Sequence, residues 1–434
     1  MQRAREAITA HVLPLKKRTG YSMTNRDADR VGGSESFLAV ATCMPADIPL
    51  CEMLTEALHA VRRHLRMDVA FIGEFREGRR VFRQIEGQHP SISLVVGEGD
   101  PLDDSYCQRI VDGRLPELIR DAREFEEALA LPVTSAIPVG AHMSVPIRFS
   151  DGSLYGTFCC FSTQPDHSLG DGDLSTLRLF ARFVGRLLER QALSEQQRRE
   201  KIERIRAVME QRDFWMVYQP IFHLANDRVV GYEALARFRP EPYRSPDRWV
   251  DEAGEVGLRT KLELLLLEAA LESLSQIPSD AYLSLNVCPD ALLDGSVVEL
   301  LARQPLHRLM LEVTEHTSIV DYMQVAAILD PLRQRGLRLA VDDAGAGYAS
   351  FRHILKLKPD VIKLDRSLIS NLDSDSDCCA MAAALIRFAE ETGSKVIAEG
   401  VETDAELAVL RELRVTKAQG FLLGKPQPMG ESVG

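Results

Sequence analysis

From Trp215 onward, short apolar runs alternate with helical patterns. The candidate strands are Met216–Pro220, Val229–Leu235, Tyr282–Val287, Leu309–Val313, Arg338–Asp342, Val361–Leu364, Lys395–Ala398 and Thr416–Gln419. Amphipathic periods lie between most of them, as in Lys261–Leu274, Asp321–Arg335, Asp377–Glu391 and Asp404–Leu413. A strand followed by a helix returns to the same sheet in parallel, and such units repeated over about 220 residues predict an α/β fold, a (β/α)₈ barrel of the TIM type. The barrel is expected to be a modified one. Its first two strands are joined through His223–Arg228, with Ala225-Asn226-Asp227 as the turn. No crossover helix fits in that length, so the first strand should run antiparallel to its neighbour.

Polar residues close nearly every one of these strands: Glu233, Asn286, Glu312, Asp342 with Asp343, Lys363 with Asp365, Glu399 and Gln419. A polar residue ending one strand is unremarkable, because strands end in turns. Carboxylates converging from many strands are different. Barrels carry their chemistry at the C-terminal ends of the strands, and carboxylates that close repel unless divalent cations neutralise them. Hard oxygen ligands suit Mg²⁺ or Mn²⁺ rather than zinc. Two such ions side by side are a common means of cleaving phosphodiesters.

The charge balance agrees with that chemistry. There are 52 Lys+Arg against 64 Asp+Glu, a formal net charge of −12. A chain this acidic has no broad basic footprint for DNA or a membrane surface, so a phosphate-bearing substrate would depend on metal ions and a few local cations. Eight cysteines in 434 residues do not make a disulfide framework and point to reduced thiols and a cytoplasmic location. No stretch approaches the roughly 18 apolar residues of a membrane span. Residues 1–46 are mixed and turn-rich and are expected to be flexible. No secretory leader is visible there, and Met23 and Met44 stay open as alternative starts.

The N-terminal half has a different pattern. Leu54, Leu58, Val61 and Leu65 recur at helical spacing. Strand-like runs follow at Val69–Phe75 and Arg80–Ile85, and two more, Gly140–Phe149 and Leu154–Phe161, flank an Asp151-Gly152 hairpin signal. This predicts an antiparallel sheet with helices on one face, an α+β sensor-like layout. With Asp68-Val-Ala-Phe-Ile-Gly-Glu-Phe75, Ser144-Val-Pro-Ile147 and Tyr155-Gly-Thr-Phe-Cys159, residues 47–190 resemble a GAF domain. The Asn-Lys pair of cyclic-nucleotide-binding relatives has no counterpart, since this segment contains no Asn, and Cys107 is followed by Gln108 rather than the His of bilin-binding relatives. Its signal is therefore left as an unknown small molecule or a redox input. Adjacent Cys159 and Cys160 should point to opposite faces of their strand, either as small core fillers or as redox sensors. Leu174, Leu177, Ala181, Val184 and Leu188, then Ile202, Ile205 and Met209, read as one long connecting helix over 174–212. Two readings stay open for it: a cap that runs on into solvent, or a parallel homodimer seam that transmits a signal.

The C-terminal segment, 201–434, contains Tyr218-Gln-Pro-Ile221, Glu233-Ala-Leu235 followed by Arg237, Leu285-Asn-Val287, Leu311-Glu-Val-Thr-Glu315, Asp342-Asp-Ala-Gly345, Ile362-Lys-Leu-Asp365, Ala398-Glu-Gly-Val-Glu402, and Gln419-Gly-Phe421 with Gly424-Lys-Pro426. In this order and at this spacing they resemble an EAL-type cyclic diguanylate phosphodiesterase. The resemblance implies metal-dependent hydrolysis of cyclic di-GMP to linear pGpG, with two Mg²⁺ or Mn²⁺ ions per site and Ca²⁺ inhibitory. It implies that Glu233, Asn286, Glu312 and Asp342 hold one ion, and that Asp342, Asp343 and Glu399 hold the other. Lys363 would orient the attacking water or stabilise phosphate charge, Glu402 and Gln419 would position water or support the ligands, and Gln219, Arg237 and Asp365 would face the substrate. Glu315 would anchor the loop that carries the paired aspartates.

One departure concerns that loop. The family commonly has Asp-Asp-Phe-Gly-Thr-Gly where this chain has Asp342-Asp343-Ala344-Gly345-Ala346-Gly347, lacking an aromatic and a hydroxyl. The ligands themselves remain, which predicts an active enzyme regulated by its GAF-like domain. The alternative is a catalytically weak EAL domain that senses cyclic di-GMP or scaffolds a partner.

Overall fold

The structure, a computed structural model of the sequence, describes residues 49–90, 92–313, 321–344 and 349–430. The N-terminal segment 1–46, Glu315 and the loop residues Gly345, Ala346 and Gly347 lie outside the described residues. The chain divides into two compact units, one up to Glu195 and one from Gln196.

The first unit is built on six antiparallel strands: β1 (Val69–Arg76), β2 (Arg79–Glu86), β3 (Gly99–Pro101), β4 (Leu118–Ile119), β5 (Ala141–Arg148) and β6 (Leu154–Ser162), in the order β3-β2-β1-β6-β5-β4. The β5–β6 hairpin forms because Gly152 takes a φ of +84° and the Asp151 side chain accepts a hydrogen bond from the Ser153 amide at 2.8 Å. Strand periodicity then divides β1 between two cores. Ala70 and Ile72 pack with Leu54, Leu58 and Val61 of the helix Leu50–Leu65 and with Leu177 and Val184 of the helix Asp171–Gln211. Val69 and Phe71 face the other way, onto Tyr106, Ile110, Ile119 and Leu131. The expectation of helices on one face therefore needs correcting. The short helices Tyr106–Val111, Glu126–Leu129 and Pro132–Ala136 cover the second face as well. Cys160 lies in the first core and Cys159 in the second.

The second unit is a closed barrel of eight strands: β7 (Phe214–His223), β8 (Arg228–Phe238), β9 (Tyr282–Val287), β10 (Leu309–Val313), β11 (Arg338–Ala344), β12 (Val361–Leu364), β13 (Lys395–Ala398) and β14 (Lys417–Ala418). Neighbouring strands from β8 to β14 pair in parallel, while β7 is antiparallel to both β8 and β14. The turn after His223 is too short for a helix, and Asp227 completes it in the left-handed region with φ +53°. The inward-facing residues stack in layers. Ile221, Tyr282, Met310, Ala340, Val361 and Ile397 form an apolar plug across the barrel. Two residues further along each parallel strand, on the same side of the pleat, come Ser284, Glu312, Asp342, Lys363 and Glu399. On antiparallel β7 the same level is reached two residues earlier, at Gln219. An apolar floor thus carries a polar layer.

A separate apolar cluster joins the start of β7 and the end of β8 to the surrounding helices: Trp249, fully buried, stacks on Phe238 at 5.1 Å and packs beside Ile205, Val208 and Leu262. Trp249→Ala is expected to destabilise this unit by about 3–5 kcal/mol, read as a lower urea midpoint. Unchanged unfolding would show that this cluster carries little of the stability.

Candidate active site

Lys363 is the centre of the polar layer. It enters from β12 with no exposed surface, and its Nζ lies 2.6 Å from Glu399 Oε1, 2.7 Å from Glu312 Oε2, 3.1 Å from Asp342 Oδ1 and 3.5 Å from Glu233 Oε2. Four carboxylates from four different strands or strand ends thus converge on one ammonium group. The two amides tie the ring together. Gln419 Nε2 donates to Glu233 Oε2 at 2.6 Å and to Glu399 Oε1 at 2.8 Å, and Asn286 Nδ2 donates to Glu233 Oε1 at 3.1 Å. Ser284, two residues before Asn286 on β9, donates its hydroxyl proton to Glu312 Oε1. Ser284 was missing from the sequence-based candidates. The signal that could have found it is the two-residue period that also points Asn286 inward.

One lysine does not balance these charges. Burial, followed by repulsion from Glu233, raises the Glu312 carboxyl well above its usual range, and burial with repulsion from Asp342 does the same to Glu399. Burial also raises Asp342. Glu233 moves the other way: burial pushes it up, but Lys363 and the Gln419 and Asn286 hydrogen bonds outweigh that and lower it. Lys363 stays protonated, since the four carboxylates overcome its desolvation and raise its pKa. Asp342 Oδ1 is buried and, though close to the ammonium, is not aligned for a hydrogen bond; Gln419 Oε1 is likewise buried without a partner.

Two sets of carboxylates could each hold a metal ion. Glu233, Glu312 and Asp342 form one, and Asp342, Asp343 and Glu399 form the other, with one oxygen from each member of a set lying within 4.8 Å of the rest. Asp342 belongs to both. Asp343 reaches the second set because β11 breaks its regular course there. The β11–β12 register shifts between Val341 and Ala344, and Asp343 has a φ of +54°. A bulge of this kind re-aims a side chain. All-oxygen donors and an excess of negative charge suit a hard divalent cation.

The other candidates sit around this cluster. Gln219 pairs in register with Glu233 and donates to the Gly424 carbonyl at 3.1 Å. Arg237, half-buried on β8, donates to the Ala236 carbonyl at 2.7 Å. Asp365 and Glu402 are not joined to the lysine network. Asp365 caps the short helix Arg366–Ile369 by accepting from the Ser367 amide at 2.9 Å, and Glu402 pairs with Arg366 at 2.9 Å. Both carboxylates thereby brace the same turn after β12.

A closed barrel that gathers five carboxylates, two amides and a lysine at its strand ends belongs to the class that keeps its chemistry on one rim. Residues 202–426, more than half of the chain, match the EAL domain, and the chain belongs to the EAL domain family. Residues 49–188 match the GAF domain. The chain is 32% identical over 262 residues to the cyclic di-GMP phosphodiesterase NbdA of Pseudomonas aeruginosa, covering 57% of this chain and 33% of that protein. It is 29% identical over 240 residues to the cyclic di-GMP phosphodiesterase PdeF of Escherichia coli, covering 52% and 32%. The match thus spans about a third of the length of these curated relatives. Among solved structures, the Xanthomonas citri FimX EAL domain in complex with c-diGMP shares the fold at 20% identity and a TM-score of 0.50, covering 56% of this chain and all of that one. Among the described residues no helix is long and apolar enough to cross a membrane.

Proposed function

We propose that this chain hydrolyses cyclic di-GMP to linear pGpG at the polar layer of its barrel, using two Mg²⁺ or Mn²⁺ ions. The observation that carries the reading is the pair of carboxylate sets sharing Asp342 above an apolar floor. A module that only bound the dinucleotide would have no use for two complete sets of buried, mutually repelling carboxylates. Glu233, Asn286, Glu312 and Asp342 hold one ion; Asp342, Asp343 and Glu399 hold the other. Held there, divalent ions would supply an activated water and offset the charge that develops on the phosphate. Lys363 keeps the carboxylates together and presents a fixed ammonium group to the reacting water or a phosphate oxygen. Gln419 holds Glu233 and Glu399 in place from the side. Gln219 and Arg237 face the substrate, and Asp365 and Glu402 shape the turn at its edge. Ca²⁺ occupies the site without supporting turnover, because it favours more ligands at longer distances.

The GAF domain is the regulator in this reading, acting through the helix Asp171–Gln211 and a homodimer formed along it. The test is to incubate the full chain, and a chain beginning near Ser194, with cyclic di-GMP and Mg²⁺ or Mn²⁺, and to separate the products by chromatography. Both should release pGpG, and the shorter chain should differ in basal rate and associate less in sedimentation. No pGpG from the folded full chain with either metal would overturn the enzymatic reading. Equal rate and equal association would remove the regulatory one.

A further inference from the structure

The second core of the GAF domain contains a charge that packing alone does not require. Arg80 is 4% exposed, lies over the rings of Phe71 and Phe82 at 5.3 and 4.7 Å, and contacts Asp100 through Nη2. Its other terminal nitrogen, Nη1, donates to Cys107 Sγ at 3.4 Å. Cys107 Sγ is in turn 3.3 Å from Cys159 Sγ, and both cysteines are fully buried. Cys159 Sγ lies 3.1 Å from Ser144 Oγ and 3.2 Å from Thr157 Oγ1. Asp100 faces the buried guanidinium from one side, and the two sulfurs in contact with each other lie against its other terminal nitrogen. Burial opposes ionisation of Cys107, but its hydrogen bond with Cys159 and the Arg80 charge outweigh that, while Cys159 is pushed well up and keeps its proton. Of the two sulfurs, Cys107 is the more readily ionised.

We propose that Cys107 and Cys159 form a redox-active dithiol that hydroperoxides convert to an intramolecular disulfide. In the first step the Cys107 thiolate attacks the terminal oxygen of the hydroperoxide, the O–O bond breaks, and an alkoxide or hydroxide leaves and takes up a proton. Cys107 becomes a sulfenic acid. The Cys159 sulfur then attacks the sulfenic sulfur, its proton joins the departing hydroxyl, and water leaves. Two sulfurs are oxidised by one electron each, and the peroxide bond takes both electrons. Closing the sulfurs from contact to about 2.05 Å needs only a small shift. A cavity of about 500 Å³ lined by Arg80, Tyr106, His142 and Phe161 lies on the other side of Arg80 from the Cys107 sulfur; neither sulfur lines it, so the oxidant would have to pass the Arg80 side chain to reach Cys107. Oxidation would weaken the Cys107 sulfur as an acceptor for Arg80 and draw the helix Tyr106–Val111 toward β6, which would alter the wall of that cavity. Cys160, on the opposite face, takes no part.

The test uses the reduced full-length protein, hydrogen peroxide as the probe, alkylation of the remaining thiols, and digestion without reductant before mass spectrometry. A Cys107–Cys159 cross-linked peptide is expected in most molecules, lost on treatment with dithiothreitol, with Cys160 recovered alkylated. In Cys159→Ser the Cys107 sulfenic acid should be trapped by a dimedone-type reagent, whereas in Cys107→Ser residue 159 should stay unoxidised. Arg80→Lys should slow cross-linking several-fold. If exposed Cys51 is oxidised while Cys107 and Cys159 are recovered as free thiols in the wild-type protein, the dithiol assignment is overturned. That wild-type readout decides the matter even where a variant fails to fold.

Discussion

Asp342→Asn is expected to lower the proposed hydrolysis of cyclic di-GMP by about three orders of magnitude or more. Asp342 is the one carboxylate shared by both sets, so a single neutral substitution weakens both ion positions at once. Metal ions contribute several kcal/mol to such reactions, and each 1.4 kcal/mol is about tenfold in rate. Glu312→Gln and Asp343→Asn each touch one set only and should retain more activity than Asp342→Asn, and added Mn²⁺ should rescue them better. Without metal, the same substitution should raise the unfolding temperature, because it removes one of several carboxylates that burial and mutual repulsion hold above their usual range. Losing activity while gaining stability is the mark of a site built against its own electrostatics. Single-turnover rates with saturating Mn²⁺, and thermal melts in chelator, measure the two arms. A variant within tenfold of wild type would remove Asp342 from the reaction.

The second large effect is on folding. Lys363→Met removes the only cation that touches Glu233, Glu312, Asp342 and Glu399 among the described residues. Breaking a buried ion pair from one side costs about 3–5 kcal/mol, because the partner is left uncompensated. Here four partners are left. In chelator the variant barrel should unfold at much lower denaturant than wild type. Millimolar Mn²⁺ should recover most of the difference, since divalent cations supply the missing charge. Metal affinity should not fall, because the ammonium group competes for the same oxygens. Turnover should drop even in the metal-loaded form, as the fixed positive group facing water and phosphate is gone. Equal loss of stability with and without Mn²⁺ would mean that Lys363 acts through packing rather than charge.

The sequence was most readable where side-chain period and chain length left few choices. Tyr282–Val287, Leu309–Val313, Val361–Leu364 and Lys395–Ala398 form strands with the bounds their apolar runs suggest. The antiparallel start of the barrel follows from a turn too short for a helix. Strands β3 and β4, of three and two residues, carry no period, and the short helices over 102–136 carry too little of one, so the covering of the sensor sheet's second face could not be read. At the site, the polar residues at strand ends were visible, but a list of ends does not say which side chains meet. Ser284 lies mid-strand and was passed over for that reason. Asp365 and Glu402 show the opposite difficulty: an acidic residue just past a strand looks the same in sequence whether it joins the cluster or, as here, caps a helix and pairs with Arg366. Nor does sequence show that Lys363 is ringed by carboxylates, because the ring comes from strands far apart along the chain.

The irregular step in β11 bears on how this chain can change over time. Consecutive residues of a regular strand face opposite sides, so Asp342 and Asp343 would ordinarily serve two different surfaces. The extra residue and the left-handed backbone at Asp343 set both carboxylates on the same side. Losing one residue at this point would therefore do more than shorten the chain. It would restore plain alternation, turn one of the two acids outward and leave a barrel with a single ion position. Among replacements at 343, only glycine and asparagine tolerate that backbone about as well as aspartate does, and neither carries the charge. The position is thus held from two sides, by its dihedral angle and by its chemistry, and in the proposed reading a change there would cost the second ion position before it cost the fold.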